Sequence, residues 1–517
     1  MKEVVLFYPK PWPGEGSFGR IPYSLLHLYS YLQDDGYKIS IVDERVVSDM
    51  SLYIRGLTGD FICFGISSFT GIQISNGLKI SRLLKENFPD VPVVWGGWHP
   101  SSMPEQTLSH PLVDIVVKGQ GEETFRDLLR ALNGEKTLFE VKGISFKDRN
   151  GIRHNPVREL LPLLENLKIS YDVIDVNDYI FKQPWGNRSV GVITSLGCPF
   201  SCNFCAVTTV YNRRTFFKCI DNVMEEIDYL VANYNIDSIT FDDDNFFVSP
   251  QRTKEFCEKL IQRPYRILWD AGAHVGLLLR YYDDELLTLI KESGCKQLYI
   301  GAESGSDEVL DIVDKQTTVA ETYKYVRIMK EKGIQSFLST MVCFPGTHSE
   351  DIYQTMDMIL KCRDIDPSLG YRLFYYTPYP STTLYKTALA MGMKEPESLD
   401  EWSHHTLRKF KAPWIKSSYR SLIRYFIFYY FPYSAMDEHK QFRQSITRQY
   451  SLSSFLSVLY QAIFVNRFLI RLAKWRVKNR YFKFPLDAFF VIQGERLKSL
   501  YTQRILKVSD LFSDYED

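Results

Sequence analysis

From residue 190 onward, for about 190 residues, strand-like runs alternate with helix-period stretches. The strand candidates are SVGVITS, DSITFDDD, YRILWDAG, QLYIGAE, IQSFLSTMVCF and YRLFYYTPY. A strand, a helical crossover and another strand build a parallel sheet, because the crossover carries the chain back to start again in the same direction. Six such units predict an open sheet or a partial barrel over residues 186–400, with the chemistry on loops that follow the strands. The same alternation fills the N-terminus, with short apolar runs at 3–8, 39–43, 61–66, 91–96 and 113–117 and a helix-period stretch at 72–87. Residues 1–130 are therefore expected to form a doubly wound, Rossmann-like α/β domain with ligands at the strands' C-terminal ends. Residues 131–185 read as a connector containing a hairpin at Asn150-Gly151, and residues 401–517 as a helical region.

The loop after the first strand of the larger unit is SLGCPFSCNFCAV, which places Cys198, Cys202 and Cys205 in a C-x3-C-x2-C spacing. Three thiolates from one short loop can hold three corners of a cubic iron–sulfur cluster, leaving the fourth iron open to a substrate or cofactor. The bland alternatives are a zinc knot or three unrelated core thiols. Zinc usually takes four ligands, and no second cysteine pair or matching histidine lies nearby. The other six cysteines are scattered, and the N-terminal MKEVVLFYPK lacks a signal peptide's apolar core, so a reducing cytoplasm is the expected location.

A CxxxCxxC loop at this place in a six-unit α/β array resembles the radical S-adenosylmethionine superfamily. The resemblance implies a partial (β/α)6 barrel and a [4Fe-4S] cluster on the three cysteines. S-adenosyl-L-methionine would sit on the open iron and be cleaved reductively to a 5′-deoxyadenosyl radical, with a flavodoxin- or ferredoxin-like electron donor. Phe204 matches the position whose backbone meets the adenine. Asp242 and Asp243 stand in FDDDNF, where the superfamily has an element contacting the methionine amino group, while Asp244 and Asn245 read equally well as a solvated capping cluster. Glu303 and Ser304 match a Gly-x-Glu-Ser-Gly-Ser motif that touches the cofactor, and Gly346 stands where backbone approaches the adenine. Ser381 occupies a position where glycine is more usual, and His274 one where arginine is more usual. His274 is left open between cofactor binding, proton transfer and a core role.

In the N-terminal domain, Gly14-x-Gly16-x-x-Gly19 with Asp43 mimics a dinucleotide fingerprint, but Pro9, Pro11 and Pro13 interrupt the tight strand-to-helix turn it needs. The loops GISSFTG, WGGWHPS and VKGQGEETFRDLL instead resemble a cobalamin-binding-type domain found in one class of the superfamily. In that reading Ser67, Ser68 and Thr70 occupy the loop that faces the nucleotide tail, and Gly96, Gly97, Gly119 and Gly121 let backbone approach a large flat ligand. The Asp-x-His-x-x-Gly box that would supply a lower axial histidine is absent, as in many members of the class. His99 is read either as a ligand contact or as a loop-stabilising residue.

The 62 basic and 62 acidic side chains cancel, and a chain built to hold nucleic acid would be basic overall. The cancellation hides a segregation. Residues 403–486 carry 16 Lys and Arg against Asp437 and Glu438 alone, and 20 aromatics among 84 residues, above the chain's 15%. Phe455, Leu459, Ala462, Ile463 and Leu469 fall on an apolar side of one candidate helix. Such a segment suits an anionic membrane interface, a lid on the barrel with its cations facing the acidic domains or, as a third option, a nucleic-acid surface. The location expected is thus cytoplasmic, or peripheral at the inner membrane face.

The expected function is a cobalamin-dependent radical enzyme that methylates an unactivated carbon of a hydrophobic substrate, an isoprenoid lipid or a tetrapyrrole. Two alternatives stand beside it. One is a non-methylating cyclase or rearrangement enzyme of the same class, and the other a metal- or nicotinamide-binding protein without radical chemistry.

Overall fold

Five apolar runs at the N-terminus pair side by side, because the inner ones are buried on both faces and backbone groups there must bond within the sheet. In a computed structural model of the 517-residue chain these are β1 (Glu3–Tyr8), β2 (Lys38–Asp43), β3 (Phe61–Ser67), β4 (Val93–Gly96) and β5 (Ile115–Val117). All run parallel. The connector's hairpin, β6 (Ile144–Asp148) and β7 (Gly151–His154), adds to the same sheet in antiparallel sense, giving the order β2-β1-β3-β4-β5-β6-β7. The order reverses at β1, so the crevice beyond the ends of β1 and β3 is where such a sheet accepts ligands. Val4, Leu6, Val94 and Ile115 pack against Leu25, Phe125 and Leu128 of the covering helices.

The second sheet follows with β8 (Phe181–Gln183) and β9 (Gly186–Val192), then the short pair β10 (Ser195–Gly197) and β11 (Thr215–Phe217). It continues through β12 (Ser238–Phe241), β13 (Leu268–Ala273), β14 (Cys295–Glu303), β15 (Gln335–Val342) and β16 (Gly370–Tyr375). Its order is β16-β15-β14-β13-β12-β9-β8. The six strands β9 and β12–β16 are parallel, and β8 closes one edge antiparallel to β9. The sheet is an open half-barrel. Side chains alternate along it with period two. Ile239, Phe241, Trp269, Leu298 and Ile300 pack against the surrounding helices. Thr240 and Asp270 alternate with them and meet each other, Thr240 Oγ1 donating to Asp270 Oδ2 at 3.0 Å.

A buried polar chain joins the two sheets' domains. Tyr23, on the first helix (Tyr23–Leu32), bonds the Tyr171 hydroxyl at 2.9 Å and the Gly191 carbonyl at 3.1 Å. Tyr171 donates to Glu226 at 2.5 Å, and Glu226 pairs with Lys218. The described residues are 2–12, 20–348, 350–406, 410–430 and 466–493, and the chain divides into Met1–Ala412 and Pro413–Asp517. Gly14, Gly16 and Gly19, together with Phe455, Leu459, Ala462 and Ile463, lie outside the described residues. Among those described, no helix is long and apolar enough to cross a membrane.

Candidate functional site

The cysteine loop leaves β10 and returns through β11, which pins its base by pairing Ser195 with Phe217 and Gly197 with Thr215. Within it the Cys205 amide donates to the Cys202 carbonyl at 3.1 Å, a tight turn that keeps two of the three thiols together. Phe200, Cys202 and Leu277 form a small apolar cluster against which Cys198, Phe204 and Cys205 pack. Burial pushes all three thiols up, Cys205 to about 12, a cost that coordination to iron would offset. Among the described residues no three ligands converge on a single metal ion. The corners of a cubic cluster are separate irons, so its three thiolates need not converge, and the donor set fits that group.

The three aspartates after β12 point three ways. Asp243 accepts from the Thr194 amide at 2.6 Å, the Thr194 hydroxyl at 2.7 Å and the Ser195 hydroxyl at 2.6 Å, so its acceptors serve the strand end that launches the cysteine loop. Asp242 pairs with Arg20. Asp244 accepts from the Gly197 amide at 2.7 Å, and burial raises its carboxyl to about 6. Asn245 places Nδ2 3.8 Å from Cys198 Sγ and leaves its buried Oδ1 unpartnered. Phe241 and Phe246 flank this loop with ring centroids 4.7 Å apart, both against Trp269, and anchor it beneath.

Glu303 ends β14 in the left-handed region, φ 54°. One carboxylate oxygen pairs with buried Lys315 at 2.9 Å, while Oε2 is buried without a partner, an open acceptor of the kind that suits a cofactor's ammonium or hydroxyl. Ser304 is buried, with its hydroxyl bonding Thr355 at 3.2 Å and accepting from the Ser306 amide. Phe204 lies against Phe344, with Lys315 Nζ 5.9 Å from its ring centroid. Gly346 has φ 84° with open space around it, and Ser381 adopts φ 69°, consistent with the glycine expected there.

His274 takes the core role. Its Nδ1 accepts from the Gly276 amide at 3.1 Å, its Nε2 donates to the Lys315 carbonyl at 3.0 Å, and its ring stacks on Phe200 at 3.7 Å. Both nitrogens are used, and burial lowers its pKa to about 3. His99 is also interior: Nδ1 bonds the Thr70 hydroxyl at 3.0 Å and the ring packs on Trp402 at 5.3 Å.

The N-terminal loops and the barrel mouth enclose one cavity of about 380 Å³. Ser67, Ser68, Gly96, Gly97, Gly119 and Gly121 line it from one side, and Ile193, Leu196, Tyr211, Asp242 and Asp244 from the other. Gly97 is required by space as well as conformation: at φ 100°, a Cβ would stand 2.6 Å from the Ser68 carbonyl oxygen. Phe69 and Trp98 border this cavity and also a second, of about 230 Å³, which reaches Ala206, beside Cys205, and Tyr379.

The residue pattern did not single out three lining residues, His27, Trp98 and Tyr211. His27 is 4% exposed with Nε2 unpartnered, and burial holds it neutral with a pKa of about 3. It sits on an apolar helix face, where only tertiary structure separates a lining residue from a core one. Trp98 and Tyr211 meet edge-on at 6.0 Å from opposite domains.

Comparison with known proteins places two families on this architecture. The radical SAM superfamily matches residues 192–359 and the B12 binding domain matches residues 21–129. An uncharacterized methyltransferase of Pyrococcus horikoshii is 28% identical over 404 residues, covering 76% of this chain and 84% of that protein. The anaerobic magnesium-protoporphyrin IX monomethyl ester cyclase of Rubrivivax gelatinosus is 26% identical over 71% of this chain, which spans 66% of the cyclase. The solved structure of the cobalamin-dependent S-adenosylmethionine radical enzyme OxsB, with aqua-cobalamin and S-adenosylmethionine bound, superposes with a TM-score of 0.68. It has 17% identity and covers 96% of this chain and 75% of its own.

Proposed function

From a chain that belongs to the radical S-adenosylmethionine superfamily, in the class carrying an N-terminal B12-binding domain, we propose transfer of a methyl group to an unactivated carbon of a hydrophobic small molecule. The observation that carries this reading is the shared cavity: the glycine loops of the B12-binding domain and the aspartate loop of the barrel face one space. When bound, the cluster, S-adenosylmethionine and cobalamin supply an electron, a hydrogen-abstracting agent and a methyl donor.

The chain's own residues bind, orient and exclude water. Cys198, Cys202 and Cys205 hold the cluster, with Asn245 beside Cys198. Glu303 Oε2, Ser304, Gly346 and the Phe204 backbone hold S-adenosylmethionine, and Asp242 and Asp244 line its side of the mouth. Asp243, expected at the cofactor, instead braces the strand end through Thr194 and Ser195. Ser67, Ser68, Gly96, Gly97, Gly119 and Gly121 receive the corrinoid. The smaller cavity, walled by Phe69, Trp98, Tyr379 and Pro380, favours an apolar substrate such as an isoprenoid lipid or a tetrapyrrole.

Similarity to the Rubrivivax cyclase supports a second reading, ring closure without methyl transfer. Anaerobic reconstitution with cobalamin, followed by product analysis, separates the two. Methylation yields S-adenosylhomocysteine alongside 5′-deoxyadenosine, and ring closure yields 5′-deoxyadenosine alone. A Cys198→Ala/Cys202→Ala/Cys205→Ala variant should lose iron and S-adenosylmethionine cleavage together; cleavage at the wild-type rate would overturn the radical reading.

A further inference from the structure

The helix Asn466–Asn479 has two unlike stripes. Ile470, Ala473 and Val477 are buried, whereas Phe468, Arg471, Trp475 and Lys478 are exposed at spacings of three and four residues, so they share one face. Aromatic and cationic side chains alternate along it. The segment after the helix is folded back by Arg476, which is buried, pairs with Asp487 at 2.9 Å and donates to the carbonyls of Tyr481, Lys483 and Phe484 at 3.0–3.1 Å. That folding leaves Phe484 77% and Leu486 64% exposed.

Seven large hydrophobic side chains are exposed within residues 466–493, against nine among the described residues of 2–412. Singly exposed apolar residues need no explanation, but a concentration of this kind marks an interaction surface. Its charge is one-sided. Asp487 is the only acidic residue in 466–493, and it is consumed by Arg476.

We infer that the helix face presenting Phe468, Arg471, Trp475 and Lys478, together with the exposed Phe484 and Leu486 of the segment that follows, docks on an anionic lipid bilayer. Bulky apolar groups enter the headgroup boundary while the adjacent cations meet lipid phosphates, a division of labour that neither a neutral bilayer nor an acidic protein surface fully rewards. The face lies outside the residues assigned to the chemistry above, so lipid binding and catalysis fail or succeed independently.

The test is sedimentation of the full-length, reconstituted protein with vesicles of phosphatidylcholine alone or mixed with phosphatidylglycerol. Binding is expected on the mixed vesicles and should be released by salt. Phe484→Ser and Trp475→Ser should each weaken it about tenfold, as loss of one buried aromatic predicts. Arg471→Glu/Lys478→Glu should erase the preference for phosphatidylglycerol. Cluster absorbance and far-ultraviolet circular dichroism identify variants that fold normally. Trp475→Phe should retain binding yet lose part of the tryptophan quenching by brominated lipid. The inference is overturned by absence of binding to mixed vesicles, by undiminished binding in folded serine variants, by quenching equal in wild type and Trp475→Phe, or by retention on a DNA duplex instead of vesicles.

Discussion

Asp243 fastens the end of β12 to the end of β9 by accepting from the Thr194 amide at 2.6 Å and from its hydroxyl at 2.7 Å. Thr194 lies four residues before Cys198, so the carboxylate sets where the cysteine loop starts. Asp243→Ala leaves buried donors unpaired, at about 1–3 kcal/mol each. The expected outcome is reduced stability of the metal-free chain in denaturant and lower iron content after reconstitution. Asp243→Asn, which keeps an acceptor oxygen, should lose less of both. Full iron content with unchanged stability in Asp243→Ala would contradict this role.

Gly97 and Gly119 both have positive φ, yet their surroundings differ. A Cβ on Gly97 meets the Ser68 carbonyl oxygen at 2.6 Å, whereas one on Gly119 meets nothing within 4 Å. Gly97→Ala should therefore displace the Ser68 loop, cost about 1–3 kcal/mol and lower corrinoid bound per chain. Gly119→Ala should cost about 1–2 kcal/mol from backbone conformation alone and disturb corrinoid content less. Absorbance of bound corrinoid measures the contrast, and equal retention in both variants would count against it.

His99 is held neutral, its pKa lowered to about 3 by burial and by nearby His405. The unfolded chain protonates near 6.5, so between those values the unfolded state binds the extra proton. The contribution to stability is complete above 6.5 and falls away as pH drops toward 3. His27 and His274 act in the same direction. His99→Gln should flatten the dependence within that window by about 1.4 kcal/mol per pH unit, measured by denaturant unfolding of the metal-free chain. An unchanged slope would show that His99 titrates normally.

The alternation of strand and helix, the parallel sheets it forces and the cysteine triplet were all legible in the sequence, because each depends on short-range periodicity or spacing. The connector's hairpin was legible as a hairpin, but its membership of the first sheet was not, since β5 and β6 meet through backbone pairing that leaves no residue signature. In FDDDNF the residue pattern put Asp242 and Asp243 at the cofactor and left Asp244 between cofactor contact and a solvated cap. Only the tertiary structure sends Asp242 to Arg20, Asp243 to Thr194 and Ser195, and Asp244 to Gly197, because successive residues leaving a strand face different neighbours. The shared cavity lay beyond sequence reading for a related reason: Gly97 and Asp244 line it from separate domains, and their proximity depends on packing between distant segments. The chain's own order thus determined which glycine, cysteine and aspartate loops exist; the packing of one domain on the other decided that the glycine and aspartate loops face the same space.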